Sequence, residues 1–277
     1  MIFHLTAMHF FLLPVLGASV AALGTMVGLG GGFILIPILL ILFPEARPAT
    51  LTAISLTVVF LNASSATISN IRARRIDVRT AILLLAGATP TAIVGSVAAQ
   101  RISRDAYEGL FGGLLLFSAF YVIWRSTKVV DNNLSASHEP NREIRERGGH
   151  IYRFYVDTLL ALVVSPVAGF VSGFFGIGGG VIHVPALTFI LKVPMRVASS
   201  TALLVVVFTS IAALSTLLLS GAIEEGGRRA GLLGIGALFG AQIGVSLSSW
   251  VNPKVVMLIL SAALVIVGAR QVAIGLT

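Results

Sequence analysis

Two short stretches carry residue types whose spacing suits chemistry: GLGGGFILIP at 28–37 and GIGGGVIHVP at 176–185, identical at six of ten positions. Each places four glycines in five positions and closes on a proline, Pro37 or Pro185, inside sequence that is otherwise apolar. Consecutive glycines cost about 1 kcal/mol each in a helix and take up positive φ freely, so each run is expected to break one helix and open a short second one, over 33–43 and 181–191. The first N–H groups of a helix have no intrahelical partner and lie at the positive end of its dipole. Gly30, Gly31, Gly32 and Phe33, with Gly178, Gly179, Gly180 and Val181, therefore read as two walls of a substrate site for an anion, built from backbone alone. Gly28, Pro37, Gly176 and Pro185 read as the residues that shape the two breaks. The competing reading is close helix packing, which is the reading given to the small-xxx-small pairs GTMVG at 24–28 and GFVSG at 169–173.

Uncharged polar side chains within the apolar segments supply the other candidates. Asn62, Ser64, Ser65, Thr67 and Ser69 lie along one segment; Ser199, Ser200 and Thr201 open its counterpart, opposite Thr50, Thr52 and Ser55. Asn62, Thr52 and Thr201 are candidate lining residues of the same site, although many hydroxyls in lipid bond back to their own helix. Gln242 either reaches the cavity or ties two helices together. His183, where the first stretch has Leu35, is the one titratable group well inside an apolar core, and reads as a proton relay, a ligand for the anion, or an interior donor to a carbonyl. The glycine runs are not nucleotide fingerprints: Phe33 stands where GxGxxG needs glycine, and no Lys-Ser/Thr follows. With no cysteine in the chain and no carboxylate in the apolar cores, neither an intramembrane enzyme nor a metal site or cofactor is expected, and a cationic substrate would lack its counter-charge.

The elements that must position these residues follow from composition. Of 277 residues 56% are hydrophobic and 11% charged, against roughly 25% charged in a soluble domain, with mean hydropathy +0.99. All charged side chains fall outside the apolar cores at 10–43, 49–71, 80–100, 109–124, 158–191, 197–223, 230–253 and 255–269. Most of these approach or exceed the ~20 residues a spanning helix needs, which predicts an all-α, polytopic integral membrane protein. As one helix, 10–43 would run roughly 51 Å against a hydrocarbon core of about 30 Å, so the glycine runs must interrupt it and its counterpart.

The two glycine stretches, with Thr52–Ala53 matching Thr201–Ala202 and Gly87 and Gly95 matching Gly236 and Gly244, indicate an internal duplication. The expected organisation is a first repeat over 1–126, a polar linker over 127–152 and a second repeat over 153–277, with four to five membrane segments each and eight to ten in all. Discontinuous helices at the glycine motifs make the repeats inverted if each broken segment forms a hairpin, and parallel if its second piece is re-entrant. Segment length favours inversion. The net charge of +8 does not point to nucleic acid, because its arginines crowd short loops, Arg72–Arg79 and the 125–153 linker, a pattern that marks both as cytoplasmic. MIFHLTAMHF lacks a basic start and a small-residue cleavage site, and reads as part of the first membrane segment.

The duplicated GxGGGxxxxP motif, the matched small residues and the two halves around a linker resemble the TauE/SafE family of sulfite and organosulfonate exporters. The resemblance implies a multi-pass protein of the bacterial inner membrane that moves a small sulfur-containing anion such as sulfite, thiosulfate or an organosulfonate. It carries over Gly28, Gly30, Gly31, Gly32 and Pro37, with Gly176, Gly178, Gly179, Gly180 and Pro185; His183 stands at a variable position of the motif and is not required by the family pattern. The expected mechanism is alternating access by a secondary transporter in contact with membrane lipid, with homo-oligomer formation left open. An anion channel using the same helix ends and a nontransporting assembly or sensor protein are the rival readings.

Overall fold

The computed structural model describes residues 7–28, 30–127, 139–224, 226–247, 262, 265, 266, 268 and 269. The apolar cores become helices nearly residue for residue. The first, 10–43, is split at its glycines into α1 (Ala7–Val27) and α2 (Gly32–Leu42). Then come α3 (Pro48–Arg72), α4 (Val78–Ala98) and α5 (Arg104–Thr127), followed by a two-stranded hairpin, β1 (Arg142–Arg145) and β2 (Ile151–Phe154). The core at 158–191 is likewise split, into α6 (Thr158–Phe175) and α7 (Gly180–Pro185), which runs on as a π-helical turn over Ala186–Ile190; α8 (Met195–Leu219) and α9 (Gly227–Leu247) follow. The core expected at 255–269 lies mostly outside the described residues. Among the described residues five helices, α3, α4, α6, α8 and α9, are long and apolar enough to cross a membrane.

The burial pattern is that of a protein in lipid. Large apolar side chains such as Phe11, Phe117, Leu159 and Phe239 point outward, while Thr52, Ser55, Asn62, Ser165, Thr209 and Ser210 are buried. In water the first set would be costly; in hydrocarbon the second set must find partners inside the protein.

Small residues bring the helices into backbone contact. A Cβ at Gly240 or Gly244 of α9 would collide with the Ala18 or Ala22 carbonyl region of α1, and one at Gly95 of α4 with the Phe170 carbonyl of α6. The GFVSG pair packs as expected, Gly169 against Ala88 and Gly173 against Ala92 of α4. In GTMVG, Gly24 packs instead against Gly31 of the glycine run itself. Each half thus lends a helix to the other: α9 of the second packs on α1 of the first, and α4 of the first on α6 of the second.

α3 and α8, each of 25 residues, form the centre and run antiparallel. At one end Ser200 donates to Asn70 at 3.0 Å; at the other Ala49 and Leu217 share a buried cluster; Val59 and Val206 meet between. The linker contains more structure than its polarity suggests. Its hairpin pairs Arg142 with Phe154 and Arg145 with Ile151, so β2 crosses the expected 152/153 division. The hairpin docks on the α3–α4 loop through Arg147 N–H to Ala73 O at 3.0 Å and an Arg75–Glu146 ion pair. The Arg72–Arg79 loop and the described part of the linker therefore lie on one face of the protein.

Candidate functional site

The two glycine runs adopt the same backbone. Gly28, Gly30 and Gly31 have φ of 79°, 80° and 81°; Gly176, Gly178 and Gly179 have 71°, 77° and 71°. Three of the four glycines in each run are thus held in the left-handed region, where a side chain is strained. Gly32, the fourth of its run, is already helical and is needed for another reason. A Cβ there would stand 2.7 Å from Ile177 Cα and 2.9 Å from Gly176 O, so it is the point where one run crosses the other. Gly30 and Gly178 face the same two side chains, Val59 of α3 and Val206 of α8. The structure brings the two runs together at the buried crossing of the central helices.

Polar side chains at this crossing attend to carbonyls. At the end of α6, Thr52 Oγ1 donates to Phe174 O at 3.3 Å, Tyr107 OH to Phe175 O at 3.0 Å, and Ser55 Oγ to Gly176 O at 2.7 Å. These are three successive carbonyls, the last two of α6 and that of its capping residue Gly176, where intrahelical donors run out. In the first run Asn62 Nδ2 donates to Gly30 O at 2.9 Å, and its Oδ1 accepts from Thr25 Oγ1 at 2.7 Å. On the N–H side, Ile34 and Leu35 are the first amides to bond back into α2, both to Gly31 O; in α7 they are Ile182 and His183, both to Gly179 O. The N–H groups of Gly32 and Phe33, and of Gly180 and Val181, precede those first bonds. Hydroxyl and amide donors thus occupy four carbonyls beside the crossing, while the first amides of α2 and α7 lack helical acceptors.

His183 is fully buried one turn into α7, and its Nδ1 donates to Gly179 O at 3.1 Å, the interior-donor arrangement. Its Nε2 has no partner among the described residues, nor has the buried Ser172 hydroxyl. Both flank the same glycine: a Cβ at Gly179 would stand 3.0 Å from His183 Nδ1 and 3.2 Å from Ser172 Cβ. Phe33 and Val181 are buried in the first turns of α2 and α7, Pro37 lies mid-α2, and Pro185 ends α7 where the π-helical turn begins.

Other candidates serve elsewhere. Thr201 Oγ1 accepts the Asp77 N–H at 3.0 Å and so fastens α8 to the start of α4, unlike its sequence counterpart Thr52. Gln242 ties helices: its Nε2 donates to Ser65 O at 2.9 Å and its Oε1 accepts from Ser69 Oγ at 2.7 Å. Thr25 and Tyr107 were not singled out by the sequence, because each is a lone hydroxyl whose partner is 37 or 68 residues away. Among the described residues, no group of three or more His, Asp or Glu is placed to hold a metal ion.

Comparison with known proteins places this architecture. The sequence matches the family described as Sulfite exporter TauE/SafE over residues 13–271. It is 24% identical over 276 residues to the probable membrane transporter protein YunE of Bacillus subtilis, covering 97% of this chain and 99% of that one. It is 26% identical over 270 residues to the probable membrane transporter protein MJ0441 of Methanocaldococcus jannaschii, covering 93% of each. No solved structure matches. A helical chain with five long apolar spans and two crossed glycine breaks, matched to one family across nearly its whole length, belongs to the TauE/SafE family of membrane transporters.

Proposed function

We propose that the protein is a secondary transporter that carries a small anion, such as sulfite, thiosulfate or an organosulfonate, across the bacterial inner membrane by alternating access. The observation that carries this reading is the crossing of the two glycine runs, where amide N–H groups precede the first helical bonds while neighbouring carbonyls are already occupied. A compact oxyanion matches that polarity, and among the described residues no carboxylate lies at the crossing to hold a cation. In the family descriptor the cargo is sulfite, which fits this chemistry.

The substrate-contacting residues in this reading are Gly30–Phe33 and Gly178–Val181, with Thr52, Asn62 and His183 fixing the backbone around them; Thr201 acts by holding α8 to α4. Val59 and Val206 close the crossing, so passage requires α3 and α8 to part on one side and then on the other. An inverted pair of repeats suits such rocking, and the antiparallel course of α3 and α8 supports it. The arginine-rich face formed by the α3–α4 loop and the linker hairpin is assigned to the cytoplasm. A membrane potential negative inside then drives anion export without a coupling ion.

Counterflow in proteoliposomes tests the carrier. Vesicles loaded with unlabelled sulfite should accumulate labelled sulfite transiently and saturably; non-saturating flux without counterflow would identify a channel, and no flux with any of the three anion classes would overturn the transport reading.

A further inference from the structure

Between the linker face and the glycine crossing lies a cavity of about 30 Å³ lined by Thr25, Asn70, Arg75, Arg196, Ser199 and Ser200. Its floor is buried and already oriented. Ser200 Oγ lies within hydrogen-bond reach of both Asn70 Oδ1, at 3.0 Å, and Arg196 O, at 2.8 Å, and the Asn70 amide NH2 is a further donor. Thr25 hands the polar chain inward, donating to Asn62, which in turn donates to Gly30 O. Ser199 packs directly on Gly28, where a Cβ would overlap its own. The cavity therefore stands two hydrogen bonds from the Gly30 carbonyl of the first glycine run.

Two guanidinium groups, Arg75 and Arg196, line the cavity, and Arg75 is held by a carboxylate just outside the lining, that of Glu146. Arg75 Nε donates to Glu146 Oε1 at 2.6 Å, and the same oxygen is in close ion-pair contact with Arg75 Nη2. Tyr152 OH donates to Glu146 Oε2 at 3.2 Å, and the Arg196 charge also acts on this carboxylate. Glu146 belongs to the linker hairpin and is itself an oxyanion on a tether. With it in place the cavity has room for about two waters; its withdrawal would free the Arg75 guanidinium for a ligand in the cavity.

We propose that this cavity is a binding site for a small free oxyanion on the linker face, the anteroom of the transport path, and that Glu146 of the hairpin is its built-in competitor. The inference rests on the anion reading of the glycine crossing and adds a second site to it. Guanidinium and carboxylate pair strongly because both are planar and charged, so an arriving oxyanion exchanges one such partner for another. The net positive rim also raises the local concentration of anions.

The test is sulfite titration of the full-length protein in phosphatidylcholine nanodiscs. Arg75→Gln and Arg196→Gln should each weaken binding about tenfold and flatten its dependence on salt. Glu146→Gln should tighten it by about three- to tenfold, and Tyr152→Phe, which keeps the carboxylate but removes one of its donors, by about twofold. A merely structural Glu146 would give unchanged or weaker binding in both variants, which overturns the competitor. Unchanged affinity and salt dependence in both arginine variants would overturn the site while leaving the glycine crossing standing. No binding of sulfite, thiosulfate or an organosulfonate by the unaltered protein would overturn both. Adding phosphatidylglycerol should leave the affinity within twofold; a tenfold loss would make this a lipid-headgroup site and overturn the proposal.

Discussion

The two glycine breaks share a backbone but not their surroundings. In the first, one amide side chain, Asn62, reaches Gly30 and is held in turn by Thr25. In the second, three hydroxyls from two helices, Thr52, Ser55 and Tyr107, take three successive carbonyls, and His183 and Ser172 stand beside Gly179 with polar atoms that have no partner among the described residues. The φ values repeat to within about ten degrees while the attached chemistry does not. The retained part is the broken helix, the element that presents amide N–H groups at membrane depth. What differs is how each break is fastened to α3, so the two walls yield to different substitutions.

The largest effect should come from treating the two walls alike. Gly31→Val and Gly179→Val each force a β-branched residue into the left-handed region, where the strain is about 1–3 kcal/mol before any contact is counted. At Gly31 a Cβ also meets Val20 O at 3.0 Å, and at Gly179 it meets His183 Nδ1 at the same distance. Counterflow should fall more than a hundredfold in both. If both variants fold and transport normally, the glycines are packing residues and the anion reading of the crossing is wrong.

A smaller effect should separate the walls. Asn62→Leu strands two buried partners at once, the Gly30 carbonyl and the Thr25 hydroxyl, for a cost of about 2–4 kcal/mol. Ser55→Ala strands only Gly176 O, with Thr52 and Tyr107 still holding the adjacent carbonyls, and should cost about 1–2 kcal/mol. Reversible unfolding in mixed micelles measures both. Equal costs would mean that the first break is fastened by contacts other than Asn62.

Much of this architecture is legible in the sequence, for identifiable reasons. A hydrophobic run bounded by charges has only one stable conformation in lipid, so 49–71 and 197–223 become helices at 48–72 and 195–219. A glycine triplet breaks a helix wherever it stands, which places both breaks without reference to the fold. Side-chain partners are different. Thr201 and Thr52 occupy matching places in sequence, yet one bonds the start of α4 and the other the end of α6, because the neighbour each meets comes from the opposite half. Tyr107 and Thr25 carry no local mark of their role. The hairpin is hidden for another reason: strands of only four residues, REIR and IYRF, are too short for alternation to stand out beside a charged linker. Its docking depends on Arg75, seventy-one residues before Glu146.

That docking offers the smallest and most local difference between the two faces of the protein. Burial pushes the Glu146 carboxyl up, but hydrogen bonding and charge from Arg75, with the Tyr152 hydroxyl and the Arg196 charge, outweigh it and hold the group below its ordinary value. A carboxylate depressed in this way contributes stability in full above the ordinary Glu range near 4.3, and loses it as pH falls through the lowered value. Hydrogen exchange of the 141–156 backbone should therefore be flat from pH 7 to about 5, once corrected for intrinsic rates, and lose protection below that. Glu143 is also held low, by Arg145 and Arg153, but it is exposed and its partners lie within the hairpin, so it does not fasten the hairpin to the α3–α4 loop. Glu146→Gln separates the two. It should remove the acid step at the Arg147–Ala73 contact while leaving the step within the β1–β2 ladder; an unchanged acid step at that contact would show that the hairpin is held to the arginine face by something other than this ion pair.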